Sequence, residues 1–363
     1  MPAYLTLGKV SNAHLRFALR MTLAGLVTYG LSQVLHLPQS LWAVLTALIV
    51  MQASVGAALK ATFERMTGSI GGAVWGGAMA AVLPHATPIS EAFAFALAVA
   101  PLAVLAAVKP AYRVAPVTAA ILILNTRLSA SGPLVSAVER VIEVGLGSVI
   151  ALLVSLTVFP IRGHNVLAQA AASVLDRMAR LMDALGASEF QPMQSDALLS
   201  LHGDLRKALA EAEAAADAAE RERANYLTDA PDPEPICRTL RRLRHDLVML
   251  GRAEETALPS EIIALLEEPT RRLWITLADF ARASALALNQ SGPAPSLAAV
   301  DAALSSFEQA IAVMRSARLA QGLPTETVGR IFSLAFAFGQ LRQNLQDLSD
   351  RVAELGRTGA RAL

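Results

Sequence analysis

Glu139, Arg140 and Glu143 stand together in AVERVIEVGLGSVIALLVSLTVFP, a stretch whose next charge is Arg162. On a helix Glu139 and Glu143 lie four apart on one face, where two carboxylates repel and their protons are coupled. Arg140 beside them can neutralise one. Such a trio suits an anion site or a proton relay. It also suits a helix end lying among lipid headgroups. The distinction matters, because a charge placed in hydrocarbon costs at least ~3 kcal/mol. Asn125 with Arg127 forms a second polar group on an apolar segment, and the same two readings apply. Gln52 with Ser54, and Arg65 ahead of a glycine-rich run, complete the polar inventory of the first 160 residues.

Catalytic motifs are missing. The chain has no Walker A loop, no GxGxxG after a strand, no GxSxG elbow and no HExxH pair. Its six histidines (His14, His36, His85, His164, His202, His245) are scattered, and Cys237 is its single cysteine. A lone cysteine excludes an intramolecular disulfide and argues against a cysteine-based metal site. The expectation is a protein that is not an enzyme and holds neither cofactor nor metal. Without a P-loop, any uphill movement of solute would draw on an ion gradient. A net charge of +1 offers no long-range attraction to nucleic acid.

The elements that must position these residues follow from composition. The chain is 54% hydrophobic and 17% charged, with a mean hydropathy of +0.46. Soluble domains are usually about 45–50% apolar and about 25% charged. The excess is uneven: residues 21–59, 68–84, 92–108 and 141–159 carry few charges, whereas the chain beyond 162 is dense in Arg, Asp and Glu. We therefore expect an all-α protein with a membrane module at 1–162 and a cytoplasmic antiparallel helical bundle at 163–363. A crossing helix needs roughly 20 apolar residues. Six spans are expected, at 15–35, 41–59, 68–84, 91–108, 112–130 and 140–160. The rival count is five plus a re-entrant segment. Lys9, Arg16 and Arg20 before the apolar run from Met21 mimic a secretory signal, but no small-x-small cleavage site follows, so this is read as the first span. Trp42 opens the second span at an interface position.

Orientation follows from the basic residues. With the N-terminus inside, Lys9, Arg16, Arg20, Lys60, Arg65, Lys109, Arg113 and Arg162 fall on the cytoplasmic side, and Arg127 and Arg140 on the outer side. Both termini are then cytoplasmic. Gly68, Gly72 and Gly76 recur every fourth residue, a spacing that lets helix backbones approach. Pro101, inside the fourth span, is expected to kink it.

The run PQSLWAVLTALIVMQASVGAALKATFERMTGSIGGAVWGG resembles the signature of the fusaric acid resistance and aromatic acid exporter superfamily. Its pattern is a Trp opening a span, a TAxxV core, a Gly near its end, then Arg-x-x-Gly-[Thr/Ser]-x-x-Gly. Trp42, Thr46, Ala47, Val50, Gly56, Arg65, Gly68, Ser69 and Gly72 occupy those positions. AVERVIEVGLGSVIALLVSLTVFP, ending at Pro160, is similar to the end of that family's membrane module. The resemblance covers roughly residues 12–162. It implies a bacterial inner-membrane efflux protein for aromatic or other organic acids, related to plant anion channels with a six-span module and a helical cytosolic domain. Many relatives carry two modules in one chain. The single module here implies a homodimer, and a periplasmic adaptor is a further partner the resemblance allows. It transfers no set of transport residues.

Beyond His164 the periodicity is helical. Leu341, Leu345, Leu348, Val352 and Leu355 form an a/d seam, as do Leu240, Leu243, Leu247 and Leu250, and Leu198, Leu201, Leu205 and Leu209 line a third helix. Breaks at 228–235, 291–296 and 322–325 separate five or six helices. Arg238, Arg241, Arg242, Arg244 and His245 make a basic cluster. It is either paired with the acidic run at 211–223 or turned to anionic lipid; nucleic acid is the remotest partner. Three functions compete: a proton-driven exporter of small organic anions in the lipid bilayer, a passive anion channel, and a non-transporting scaffold whose helical domain binds a partner.

Overall fold

The computed structural model describes residues 12–84, 87–125, 132–187, 195–225, 227–254, 259–319, 321 and 324–361. Among them every regular element is helical and no strand occurs. The chain divides into two compact units, Met1–Arg162 and Gly163–Leu363.

The first unit holds α1 (Asn12–Val34), α2 (Ser40–Val50), α3 (Val55–Val82), α4 (Pro88–Val108), α5 (Ala115–Asn125) and α6 (Pro133–Thr157). The expected second span at 41–59 is not one helix. The chain leaves helical geometry at Met51 (φ −60°, ψ 121°), and Ser54 caps the next helix, its hydroxyl accepting from Ala57 N at 3.3 Å. A serine hydroxyl satisfies an orphan N–H at a helix start, so a capping residue divides a run that hydropathy joins. The expected third span is consequently the latter part of a 28-residue helix that begins at Val55. α4 runs through Pro101 without interruption.

Judged by length and composition, one helix among the described residues, Pro88–Val108, is apolar enough throughout to cross a membrane; Ser40–Val50 is apolar but has only 11 residues. At 1.5 Å per residue, α2 and α5 are each about 17 Å long, short of the ~30 Å hydrocarbon core. The charges Lys60, Glu64 and Arg65 on α3, and Glu139, Arg140 and Glu143 on α6, interrupt the apolar character of those longer helices.

Burial in this unit is inverted. Its interior is small or polar: Ala24, Ala43, Ala47, Gly68, Ser69, Gly72, Gly76, Thr118, Gly147 and Ser148, with Arg20, Arg140 and Glu143. Many of its large apolar side chains point outward, as with Val74, Val82, Phe93, Val104 and Leu134, while Val50, Leu122, Ile123 and Ile150 are buried. The small residues are required by close helix contact. A β-carbon on Gly72 would strike the Ala115 carbonyl oxygen and lie 2.8 Å from Thr118 Cβ; on Gly76 it would lie 2.6 Å from Ala119 Cα. α3 and α5 thus touch backbone to backbone. Gly147 does the same for α6 on α2, against the Ala43 carbonyl and 3.0 Å from Thr46 Cβ.

The second unit holds α7 (Gly163–Gly186), α8 (Ser195–Ala224), α9 (Glu234–Glu254), α10 (Ser260–Gln290), α11 (Ala298–Ser316) and α12 (Thr325–Arg361) around one continuous apolar core. Leu240, Leu243, Leu247 and Leu250 of α9 are all buried there, with Leu341, Leu345, Leu348 and Val352 of α12. Trp274 and Phe307 each meet Phe338 edge to face, at 5.2 and 5.3 Å. The buried carboxylate of Glu222 accepts twice from Gly163 N, at 2.9 and 3.0 Å, tying the start of α7 to the end of α8. In the basic cluster, Arg241 pairs with Glu234 (2.5 Å) and Glu213 (3.8 Å), and Arg242 with Asp347 (3.4 Å).

Candidate functional site

The first unit's polar residues gather where α2 and α6 lie side by side. Gly132, at φ 81°, turns the chain into α6, and Pro133 takes the first helical position. Two contacts fix the pairing of α2 with α6: Gln39 N donates to Glu143 Oε1 at 2.9 Å, and Ser155 Oγ donates to Met51 Sδ at 3.4 Å. Both span the same sequence separation, so α2 and α6 run in the same direction without slippage.

At the Gln39 end α2 and α6, with α5, build a shallow cleft lined by Gln39, Ile121, Leu122, Asn125, Ser136, Glu139, Arg140 and Glu143. Arg140 is 3% exposed and Glu143 2%. The Arg140 guanidinium stacks 3.9 Å from the centroid of the Trp42 ring, a cation–π contact that strengthens where water is excluded. Gln39 fixes both neighbours: its side-chain oxygen accepts from Trp42 Nε1 at 2.8 Å while its backbone N–H binds Glu143. Trp42 therefore opens α2 as expected, but its ring covers a cation instead of serving only as an interface anchor.

Arg140 Nε and Nη1 are buried with no hydrogen-bond partner. A buried donor left unpaired forfeits its hydration without compensation. These two N–H groups are the natural point of attachment for an anion's oxygens, and a guanidinium offers them in the fork that fits a carboxylate. One layer further along the seam, Arg65 of α3 donates to Thr46 Oγ of α2 at 3.3 Å, and its Nε is likewise buried and unpartnered.

Four residues singled out in the sequence, Asn125, Glu139, Arg140 and Glu143, thus share one cleft, with Arg65 in the neighbouring layer. Gln52 stands apart: it lies in the break between α2 and α3, where its amide donates to Ile49 O at 3.2 Å. Arg127 lies outside the described residues. Arg20, assigned by charge to the cytoplasmic edge, is instead fully buried within α1. The sequence did not point to Gln39 or Ser136. The visible signal for Gln39 was a polar residue directly before the Trp-led helix. Among the described residues no group of three or more His, Cys, Asp or Glu side chains is placed to hold a metal ion.

No curated protein matches the chain. Residues 26–154, from the middle of α1 to the last turn of α6 and including every residue of the cleft, match the family described as fusaric acid resistance protein-like.

Proposed function

We propose that the protein is a multi-pass transporter of the bacterial inner membrane that exports small organic acids, aromatic ones in particular, driven by protons and working as a homodimer. The observation that carries this reading is Arg140: a buried guanidinium beneath an aromatic ring, on a cleft, with unpaired N–H groups and the Glu143 carboxylate one turn along α6. A carboxylate bearing an aromatic ring has a counterpart for each part, the guanidinium for its charge and apolar Ile121 and Leu122 for its ring. The fusaric acid resistance protein-like match over 26–154 supports efflux of this class of acid. The outward-facing apolar side chains support a lipid setting, with α1 to α6 as the six crossings, α2 and α5 being the shortest. The distribution of basic residues supports cytoplasmic placement of both termini.

Glu143 is the group we assign to the coupling proton, since it adjoins Arg140 and the cleft. The test is flux of radiolabelled benzoate in proteoliposomes containing the purified full chain. Wild type should move benzoate against its gradient when a proton gradient is imposed. R140Q should lower the rate by about tenfold or more, the loss expected when a charged partner in a low-dielectric site is removed. E143Q should abolish uphill flux and spare benzoate exchange. A wild-type protein that passes no benzoate, salicylate or fusaric acid under any gradient refutes the exporter reading. Arg140 also suits a passive anion channel, and ohmic benzoate currents without a proton gradient would decide for that alternative.

A further inference from the structure

α1 holds a second arginine that the cleft does not use. Arg20 is completely buried, and its Nε, Nη1 and Nη2 all lack a hydrogen-bond partner. It lies outside the stretch that matches the known family, which begins at residue 26. Phe17, three residues before it, and Ala24, four after, occupy the same face of α1, and both pack with Val50, Met51 and Val154. Arg20 therefore shares the face of α1 that joins this cluster, at the end of the α2–α6 seam away from Glu143. Glu143 is twelve residues from Ser155 on α6, so the two ends of the seam are about 18 Å apart.

No carboxylate of this unit is free to neutralise Arg20. The chain up to Arg162 contains no Asp and only four Glu. Glu64 pairs with Lys60 at 3.8 Å, Glu139 lines the cleft, Glu143 binds Gln39, and Glu91 stands in the first turn of α4. Nearby Arg16 has an aromatic face, Phe159, at 5.6 Å and is exposed to solvent; Arg20 has neither. A buried cation with no counter-charge and no acceptor is strongly unfavourable. A bound anion would remove that penalty.

We infer that Arg20 forms a second anion site, closed in this conformation, which receives the carboxylate of the transported acid at the end of the α2–α6 seam opposite Arg140. Arg65, held by Thr46, stands between the two. The three arginines mark successive resting points, so the acid passes along α2 from guanidinium to guanidinium without losing a cationic partner. This inference rests on the exporter reading for the identity of the anion, but not for the existence of the site.

The test uses the purified full chain in phosphatidylcholine nanodiscs, with melting followed as benzoate or inorganic phosphate is added, alongside benzoate flux in proteoliposomes. R20M keeps the length of the side chain and removes its charge. Without ligand, R20M should melt at or above the wild-type temperature, because an uncompensated charge is gone. Its benzoate-dependent rise in Tm should fall by at least half relative to wild type, and its flux per folded protein should fall about tenfold. R20K should recover part of the flux.

Wild-type flux and an undiminished benzoate response in R20M would overturn the inference and leave the exporter reading intact. A lower Tm of R20M without ligand, with unchanged flux per folded protein, would also overturn it, since Arg20 would then be purely structural. If wild type moves no benzoate but phosphate raises its Tm and not that of R20M, the anion site stands and the exporter reading falls. If replacing phosphatidylcholine by phosphatidylglycerol stabilises wild type alone and benzoate does not compete, the anion is a lipid phosphate and the assignment to the transported acid is overturned.

Discussion

α1–α6 and α7–α12 are built from the same alphabet by opposite rules. In the second unit the leucines of α9 and α12 point inward, and the surface carries ion pairs such as Arg342 to Asp301 at 2.7 Å. In the first unit the interior is rich in alanine, glycine and serine and holds Arg20, Arg140 and Glu143, while many valines, leucines and phenylalanines face outward. Apart from Leu199, Met249, Ile275, Leu286, Val313, Phe332 and Phe336, every exposed large hydrophobic residue among the described ones precedes Pro160. Water drives the second arrangement through apolar burial. The first is the arrangement expected where the surroundings are as apolar as the side chains, with close backbone approach and internal polar contacts supplying much of the cohesion. Helix content alone would not have separated these units; the direction of the large side chains does.

The sharpest way to break the contrast is a side chain at the α3–α5 contact. Gly72→Leu should abolish the folded first unit, because even a β-carbon there meets the Ala115 carbonyl and Thr118. Fluorescence-detected gel filtration in detergent should show aggregate in place of a monodisperse peak. Gly203→Ala on α8, where a β-carbon meets nothing within 4 Å, should instead be harmless or stabilise by up to ~1 kcal/mol.

Next in size is one truncation made in both units. Leu247→Ala on α9 removes a fully buried side chain and should cost about 2–5 kcal/mol. Leu97→Ala on α4, 41% exposed in the absence of lipid, should cost under ~1 kcal/mol in detergent. Equal costs for the two, read from denaturant or thermal melts, would contradict the inversion.

A smaller effect concerns pH. The hydrogen bond from Arg342 holds the Asp301 carboxyl below its usual range. A depressed folded pKa gives stability that is present above the unfolded pKa of about 3.9 and lost as pH falls through the folded value. Both groups are substantially exposed, so Asp301→Asn should cost no more than ~1 kcal/mol at pH 7. The gap between wild type and variant should close as pH falls through the lowered folded pKa of Asp301.

The smallest change is one of reactivity. Burial lifts the Cys237 thiol to about 11, and its S–H reaches towards the Ala212 carbonyl at 3.9 Å. The thiolate is the reactive form, so maleimide should fail to label the native chain at pH 7 and should label it fully in denaturant.

The sequence was most informative where a single helix carries the signal. The seams at 240–250 and 341–352 are buried as their spacing indicates, because period alone fixes which face of a helix meets a core. Asn125, Glu139, Arg140 and Glu143 were conspicuous because polar residues are rare in their surroundings. Gln39 was not, since its importance comes from the register of α2 against a helix about a hundred residues later. Gly147 looked like an ordinary residue of an apolar run, and only the approach of Ala43 reveals why it has no side chain. The division of α2 from α3 was hidden because small and apolar residues continue through it, leaving one capping hydroxyl as the clue.

The brevity of α2 has a consequence for the energetics of ion movement. Its first turn meets α6 at Glu143, ten residues beyond Pro133, so the floor of the cleft lies about 15 Å below the upper end of α6. On the exporter reading, that recess leaves an anion only the roughly 18 Å from Glu143 to Ser155 to travel along the seam. On that same reading, charge placed along the α2–α6 seam, more than charge at either rim, would set the voltage dependence of flux.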